Sequence, residues 1–144
     1  MLDFAIYIAR KAGEVLLAHF GKLSDSEIAY KGKRNPVTAA DTESEELIVS
    51  SIVKKYPNHS ILTEERPHLK KDSEYEWIID PLDGTVNFMH NTPVFCVSIA
   101  LLRNNIPEVG VVFAPMLNEL FTAVKGQCFV QWKKNKGITD RGFN

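Results

Sequence analysis

The chain has 144 residues, of which 44% are hydrophobic and 24% charged, with a formal net charge of -1. Length and composition predict one soluble globular domain with a sizeable core, and the charge balance excludes the basic excess that draws nucleic acid or an anionic membrane surface. No N-terminal hydrophobic run lacks charge and no stretch approaches the ~20 apolar residues of a membrane span, so the chain reads as cytoplasmic.

In chain order, Leu2 to Phe20 places Ile6, Ala9, Ala12, Leu16 and Phe20 at helical spacing, with Arg10, Lys11 and Glu14 opposite. This predicts an amphipathic helix stopped at Gly21. The polar stretch Lys22 to Asn35 holds a short strand at Glu27 to Tyr30, and Pro36 interrupts. A second helix is predicted over Thr42 to Tyr56, with Asp41 or Thr42 as N-cap, Glu45 in the first turn, and Leu47, Ile48, Ser51 and Ile52 on one face. His59 to Glu64 reads as a short strand, and the charged stretch Arg66 to Glu76 as a loop. Trp77 to Ile79 is a short apolar run ending at Asp80-Pro81. Val94 to Leu102, Val109 to Ala114 and Leu120 to Val124 read as three strands, turned at Asn104-Asn105 and Asn118-Glu119. Two helices followed by sequential strands predict an α+β fold, with the helices packed on a largely antiparallel sheet.

Cys96 and Cys128 have no metal or redox spacing, and Cys96, in an apolar run, reads as a small buried hydrophobe. His59, His68 and His90 have no ligand spacing and read as surface or turn residues.

The chemistry is concentrated at Glu64-Glu65 and at Asp80-Pro-Leu-Asp83-Gly84-Thr85-Val-Asn-Phe88. A buried strand delivers Asp80 to its end, proline stops the ladder for want of an N–H, and Asp83-Gly84 turns into a short helical segment, Thr85 to His90. Two carboxylates crowded at one junction repel each other, and a hard cation such as Mg²⁺ or Ca²⁺ relieves the conflict. The N–H groups of Gly84 and Thr85 open a helix N-terminus suited to an anion. A divalent cation beside a phosphate cradle is the minimum equipment for phosphoryl transfer to water. An EF-hand loop is discarded because Pro81 and Leu82 stand between the aspartates. The Asp-x-Asp-Gly-Thr element of haloacid dehalogenase phosphatases is discarded because Pro81 holds the nucleophile's position.

The run Trp77-Ile-Ile-Asp80-Pro-Leu-Asp83-Gly84-Thr85-Val-Asn87-Phe88 resembles the metal signature of the inositol monophosphatase family, a magnesium-dependent, lithium-sensitive group that includes fructose-1,6-bisphosphatases. Lys31, Pro36-Val-Thr-Ala-Ala-Asp41 and Thr63-Glu64-Glu65 resemble further family segments in the right order, with Thr63 in place of a glycine. The resemblance implies the N-terminal half of that family's layered αβαβα sandwich. It implies Mg²⁺ held by Glu64, Asp80, Asp83 and the Leu82 carbonyl, with Asp41 near a more weakly bound ion. It implies that Glu64 and Thr85 orient or deprotonate the attacking water, and that Gly84 and Thr85 bind phosphate through backbone N–H groups. Glu65 and Lys31 belong to the same segments, and surface solvation is the plain alternative for both. The implied reaction is hydrolysis of a sugar or inositol phosphate monoester, of inositol-1-phosphate or fructose-1,6-bisphosphate type, by metal-activated water.

The family's second half supplies a Trp-Asp-x-Ala segment and most contacts to the sugar or inositol ring, and nothing after Phe88 resembles it. The expectation is therefore a front half, residues 1–127, followed by a divergent tail at 128–144. In the tail strand alternation fails, and four of the nine residues from Trp132 to Asp140 are charged. Shifting the implied codons by one base permits Ala-Leu-Tyr-Asn-Gly-Lys-Arg-Ile-Lys, close to the family's continuation, so an out-of-frame tail is expected. Such a chain would either have lost catalysis or need a partner chain, and exposed sheet surface around Val97 to Leu102 is expected to bring poor solubility, homodimerisation or dependence on a partner.

Overall fold

The computed structural model describes residues 1–22, 28–31, 35–64, 66–133 and 138–143, with side chains described for 1–22, 38–64 and 66–128. The elements are α1 (Leu2–His19), β1 (Ile28–Lys31), β2 (Asn35–Thr38), α2 (Ala39–Lys55), β3 (Ser60–Thr63), β4 (Tyr75–Asp83), α3 (Thr85–Met89), β5 (Cys96–Arg103), β6 (Ile106–Ala114), β7 (Glu119–Val124), β8 (Gln127–Lys133) and β9 (Ile138–Phe143). A seven-stranded sheet runs β3-β4-β5-β6-β7-β8-β9, with β1 and β2 in a separate ribbon. Every pair in the large sheet is antiparallel except β3 with β4. The expected two helices on a largely antiparallel sheet are therefore found. The parallel pair arises because the loop between β3 and β4 carries the chain back to the starting edge instead of making a hairpin.

α1 packs on β5 and β6 and against α2. Its buried face is Ala5, Ile8, Ala9, Ala12, Gly13 and Leu16, rotated from the expected one, so that Ile6 and Phe20 are only partly buried. The contact is close: a Cβ on Gly13 would stand 2.6 Å from the Phe113 ring. Gly21, at φ +73°, ends the helix as expected. The core beneath holds Trp77, Ile79, Val97, Ile99, Leu101, Val111 and Phe113, alternate residues of three neighbouring strands. Each large apolar side chain so buried contributes about 1.5–3 kcal/mol. The surface expected to be bare around Val97 to Leu102 is thus half covered, since Val97, Ile99 and Leu101 lie under the helices.

Several sequence expectations are corrected. α2 begins at Ala39 with Thr38 as N-cap, not Asp41 or Thr42, because Thr38 and Asp41 close a reciprocal capping box. Pro36 does not interrupt but lies in β2 opposite Tyr30, which an isolated two-stranded ribbon tolerates. β4 does not end at Asp80. Its pairing passes from Asp80↔Ser98 to Asp83↔Cys96, so the proline is absorbed in a bulge. The asparagine turns are as read: Asn104, Asn105 and Asn118 have φ of 50°, 63° and 53°, which asparagine tolerates better than most residues. The boundary placed after Gln127 falls at the start of β8, and the backbone of the tail adds β8 and β9 to the sheet edge. No helix among the described residues is long and apolar enough to cross a membrane.

His59 is not a plain surface residue. Its ring stacks between Tyr56 and Tyr75, 4.8 Å from each, and its Nδ1 accepts a 3.1 Å hydrogen bond from Trp77 Nε1. Burial lowers its pKa below the ordinary 6.5. The unfolded chain therefore takes up the proton first as pH falls, so this stability is present above 6.5 and lost below it. Urea midpoints measured at about pH 7.5 and about pH 5.5 are expected to show that fall, and His59→Asn is expected to reduce it.

Candidate active site

The site is assembled where the bulged end of β4 meets the first two turns of α2. Thr38, Asp41, Ser44 and Glu45 are all buried, at 1%, 2%, 0% and 1% exposure, so the near half of this helix's packed face is polar. Each group has a defined task. Thr38 N–H and its hydroxyl donate to Asp41 Oδ2 at 2.8 and 2.6 Å, which fixes that carboxylate. Ser44 donates to the Pro81 carbonyl at 3.1 Å, satisfying a backbone group that the bulge takes out of the ladder. Glu45 receives Arg66 Nε at 2.7 Å.

On the strand side, Leu82 N–H donates to Asp80 Oδ1 at 3.2 Å, turning that carboxylate back over the bulge. The Leu82 side chain is buried, which anchors the main chain that presents its carbonyl. The Thr85 hydroxyl lies 3.0 Å from the Leu82 carbonyl and 3.3 Å from Asp41 Oδ1, and can donate to one at a time. Gly84 caps α3 at φ 96°, ψ 34°. A Cβ there would meet the Val94 carbonyl at 2.9 Å, so both the backbone angle and the space require glycine. Phe88 pins the short helix through ring contacts with Phe20 and Phe95 at 5.5 and 4.9 Å. A cleft of about 380 Å³ opens beside Asp83 and Gly84, walled by Asn87, Phe95, Cys96 and Leu117.

Electrostatics mark the same place. Asp80 is pushed up to about 6, first by burial, then by the charges of Glu64, Asp83 and Asp41, against the opposing Leu82 hydrogen bond. The four predicted acids thus share one field. Among the described residues, no three His, Cys, Asp or Glu side chains close on a common point as a finished ion site. Like charges hold one another apart. The donors are all oxygen, and their excess negative charge is partly buried, which fits a hard divalent cation.

Of the predicted site residues, Asp41, Glu64, Asp80, Leu82, Asp83, Gly84 and Thr85 gather at this junction. Glu65 and the Lys31 side chain lie outside the described residues. Cys96 does not pack as a buried hydrophobe. It is half-buried with Sγ 3.7 Å from Asp83 Oδ2, and burial and that carboxylate push the thiol up to about 11. Sequence reading missed Ser44, the Glu45–Arg66 pair and the Asn87 amide, which donates to the Val94 carbonyl at 2.8 Å. The Thr38-x-x-Asp41 spacing was the available signal for the capping box, whereas the Glu45–Arg66 pairing leaves no local pattern.

The sequence profile of the inositol monophosphatase family matches residues 1–139. The chain belongs to that family. The Nus factor SuhB of Pasteurella multocida is 48% identical over 128 residues, covering 88% of this chain and 48% of that protein. The Nus factor SuhB of Haemophilus influenzae is 50% identical over the same shares. Among solved structures, the extragenic suppressor protein suhB from Bartonella henselae superposes with a TM-score of 0.85 at 36% identity, over 89% of this chain and 50% of its own. An IMPase of Thermotoga maritima does so with 0.81 at 38%, over 90% and 50%. The chain spans about half the length of the curated relatives it matches.

Two expectations follow for the metal-free chain. Because Asp80 is raised from 3.8 to about 6, the folded state holds the proton longer than the unfolded one, and stability falls as pH rises through that window. Asp80→Asn is expected to stabilise the chain above that window by about 1–2 kcal/mol, allowing for the carboxyl's partial exposure, and to do little below it. Thermal melts at both pH values check this. Gly84→Ala is expected to cost about 1–3 kcal/mol by the same melts.

Proposed function

We propose that this family member is a Mg²⁺-dependent phosphomonoesterase module acting on a sugar or inositol phosphate, of inositol-1-phosphate or fructose-1,6-bisphosphate type. The observation that supports this most is the shared field of Asp41, Glu64, Asp80 and Asp83 beside a glycine-capped turn. In this reading Glu64, Asp80, Asp83 and the Leu82 carbonyl would hold Mg²⁺, on which the family generally depends, and Asp41 would stand by a weaker ion. Mg²⁺, when bound, would supply a Lewis acid that lowers the pKa of water and neutralises a leaving alkoxide.

The chain's own residues do the rest. The Thr85 hydroxyl, held beside the Leu82 carbonyl and Asp41, orients the attacking water, and Glu64 takes its proton. Using the Leu82 carbonyl twice is chemically consistent, because its oxygen has two lone pairs. In this reading the N–H groups of Gly84 and Thr85 receive the phosphate at the left-handed cap that Gly84 forms. Glu65 and Lys31 belong to the site's sequence segments in the same reading, and residues 128–144 form a divergent tail, which sequencing the gene past codon 127 checks.

A second reading is favoured by the relatives' name and by length. Proteins called Nus factor SuhB share nearly half their residues with this chain over its span, so the fold could serve as a binding surface rather than a catalyst. The expectation of no nucleic-acid partner rests on the net charge of -1 alone. The sheet face away from the helices leaves Leu62, Ile78 and Phe121 at 37%, 37% and 38% exposure beside a groove of about 460 Å³ over Ala100, Gly110 and Ala123. A second copy or a separate second half would cover it.

Phosphate release from inositol-1-phosphate and fructose-1,6-bisphosphate by the purified chain separates the readings. Hydrolysis is expected only with Mg²⁺, and Asp83→Asn is expected to reduce it by about 100-fold or more. No release with Mg²⁺ still bound by calorimetry supports the binding reading and overturns the catalytic one.

A further inference from the structure

Glu45 is a buried, half-satisfied acid. Its carboxylate is 1% exposed, one oxygen is paired with Arg66, and the other, Oε1, has no hydrogen-bond partner among the described residues. Burying a half-satisfied carboxylate rarely adds stability, since the desolvation cost equals or exceeds what the ion pair returns. Such a pair is better understood as holding a geometry. What it holds is the turn that carries Glu64. Arg66 N–H donates to Thr63 Oγ1 at 3.1 Å, tying Arg66 back to the end of β3. The Arg66 guanidinium then forks onto α2, with Nε on Glu45 at 2.7 Å and Nη2 on Glu46. Glu64 lies in sequence between these two anchors, directly after β3 and two residues before the arginine fixed to the helix that also carries Asp41.

We propose that Arg66 is a positioning residue for Glu64, clamping the chain beyond it to Glu45 and Glu46 so that the carboxylate is held toward Asp80. A planar, five-donor guanidinium suits this, because a fork onto two carboxylates fixes direction as well as distance. The inference rests on the Mg²⁺-site reading above.

The test is Mg²⁺ affinity of the full chain by calorimetry, which needs no turnover. Arg66→Ala is expected to weaken Mg²⁺ binding about tenfold or more, the usual effect of losing a residue that orients a ligand. In a Glu64→Gln background the same change is expected to have almost no further effect, whereas a merely structural role would weaken both backgrounds alike. Glu46→Gln, which removes only the exposed arm of the fork, is expected to weaken binding about twofold to fivefold and guards against misfolding of the alanine variant. Wild-type affinity in both Arg66→Ala and Glu46→Gln, or equal losses with and without Glu64, overturns the clamp while leaving the metal site standing. Absence of Mg²⁺ binding in the wild-type chain, or binding unaffected by Asp83→Asn, overturns the metal-site reading and the clamp with it.

Discussion

A helix lying on a sheet ordinarily buries an apolar stripe, but the first turns of α2 bury Thr38, Asp41, Ser44 and Glu45 instead. Most buried polar groups are paired, so each of these side chains influences what stands opposite. Thr38 and Asp41 satisfy each other across the helix start. Ser44 takes the Pro81 carbonyl, and Glu45 takes Arg66. The helix is therefore fixed against the bulged end of β4 and against the turn after β3 by directional bonds, whereas apolar packing alone would let it slide. Ile48 and Ile52, one and two turns further on, return the helix to ordinary core burial.

The bulge is the other half of this arrangement. A regular strand would alternate Asp80 and Asp83 to opposite faces. The extra residue between the Asp80↔Ser98 and Asp83↔Cys96 pairs changes that alternation, and the left-handed Gly84 then turns the chain into α3 within one residue. The bulge also uncouples Pro81 and Leu82 from the ladder, leaving the Pro81 carbonyl for Ser44 and the Leu82 carbonyl for Thr85. The local irregularity is thus the means by which carboxylates, a carbonyl and a hydroxyl come to one end of the strand, where burial first and the neighbouring charges second raise the pKa of Asp80. The cost of crowding them is met by the aromatic and aliphatic core behind, where Trp77, Ile79 and Leu82 of the same strand are fully buried.

Much of this was legible in the residues because it is local. Helix α1, the asparagine turns and the run Asp80 to Phe88 each depend on groups within a few positions of one another. The long-range pairings were not. Arg66 meets Glu45 from 21 positions away, Cys96 meets Asp83 across neighbouring strands, and Trp77 meets His59 from 18 positions away. A charged residue in a loop and a cysteine in an apolar run have the same composition whether they face solvent, core or site. That is why residue type and spacing alone place Cys96 in the core, and why they leave the partners of His59 and Arg66 open.

The sequence by itself determined the kinds of atoms available at the site, the order of the elements and the family signature, since these follow from residue type and short spacing. The tertiary structure decided which of those atoms meet. It placed the parallel β3–β4 edge, carried β4 through Pro81, moved the α2 cap from Asp41 to Thr38, and set a buried carboxylate under the turn that bears Glu64. The cap is a local pairing, but the sheet edge, the bulged strand and the Glu45–Arg66 contact join segments distant in the chain, and those partners meet only once the chain has closed on itself.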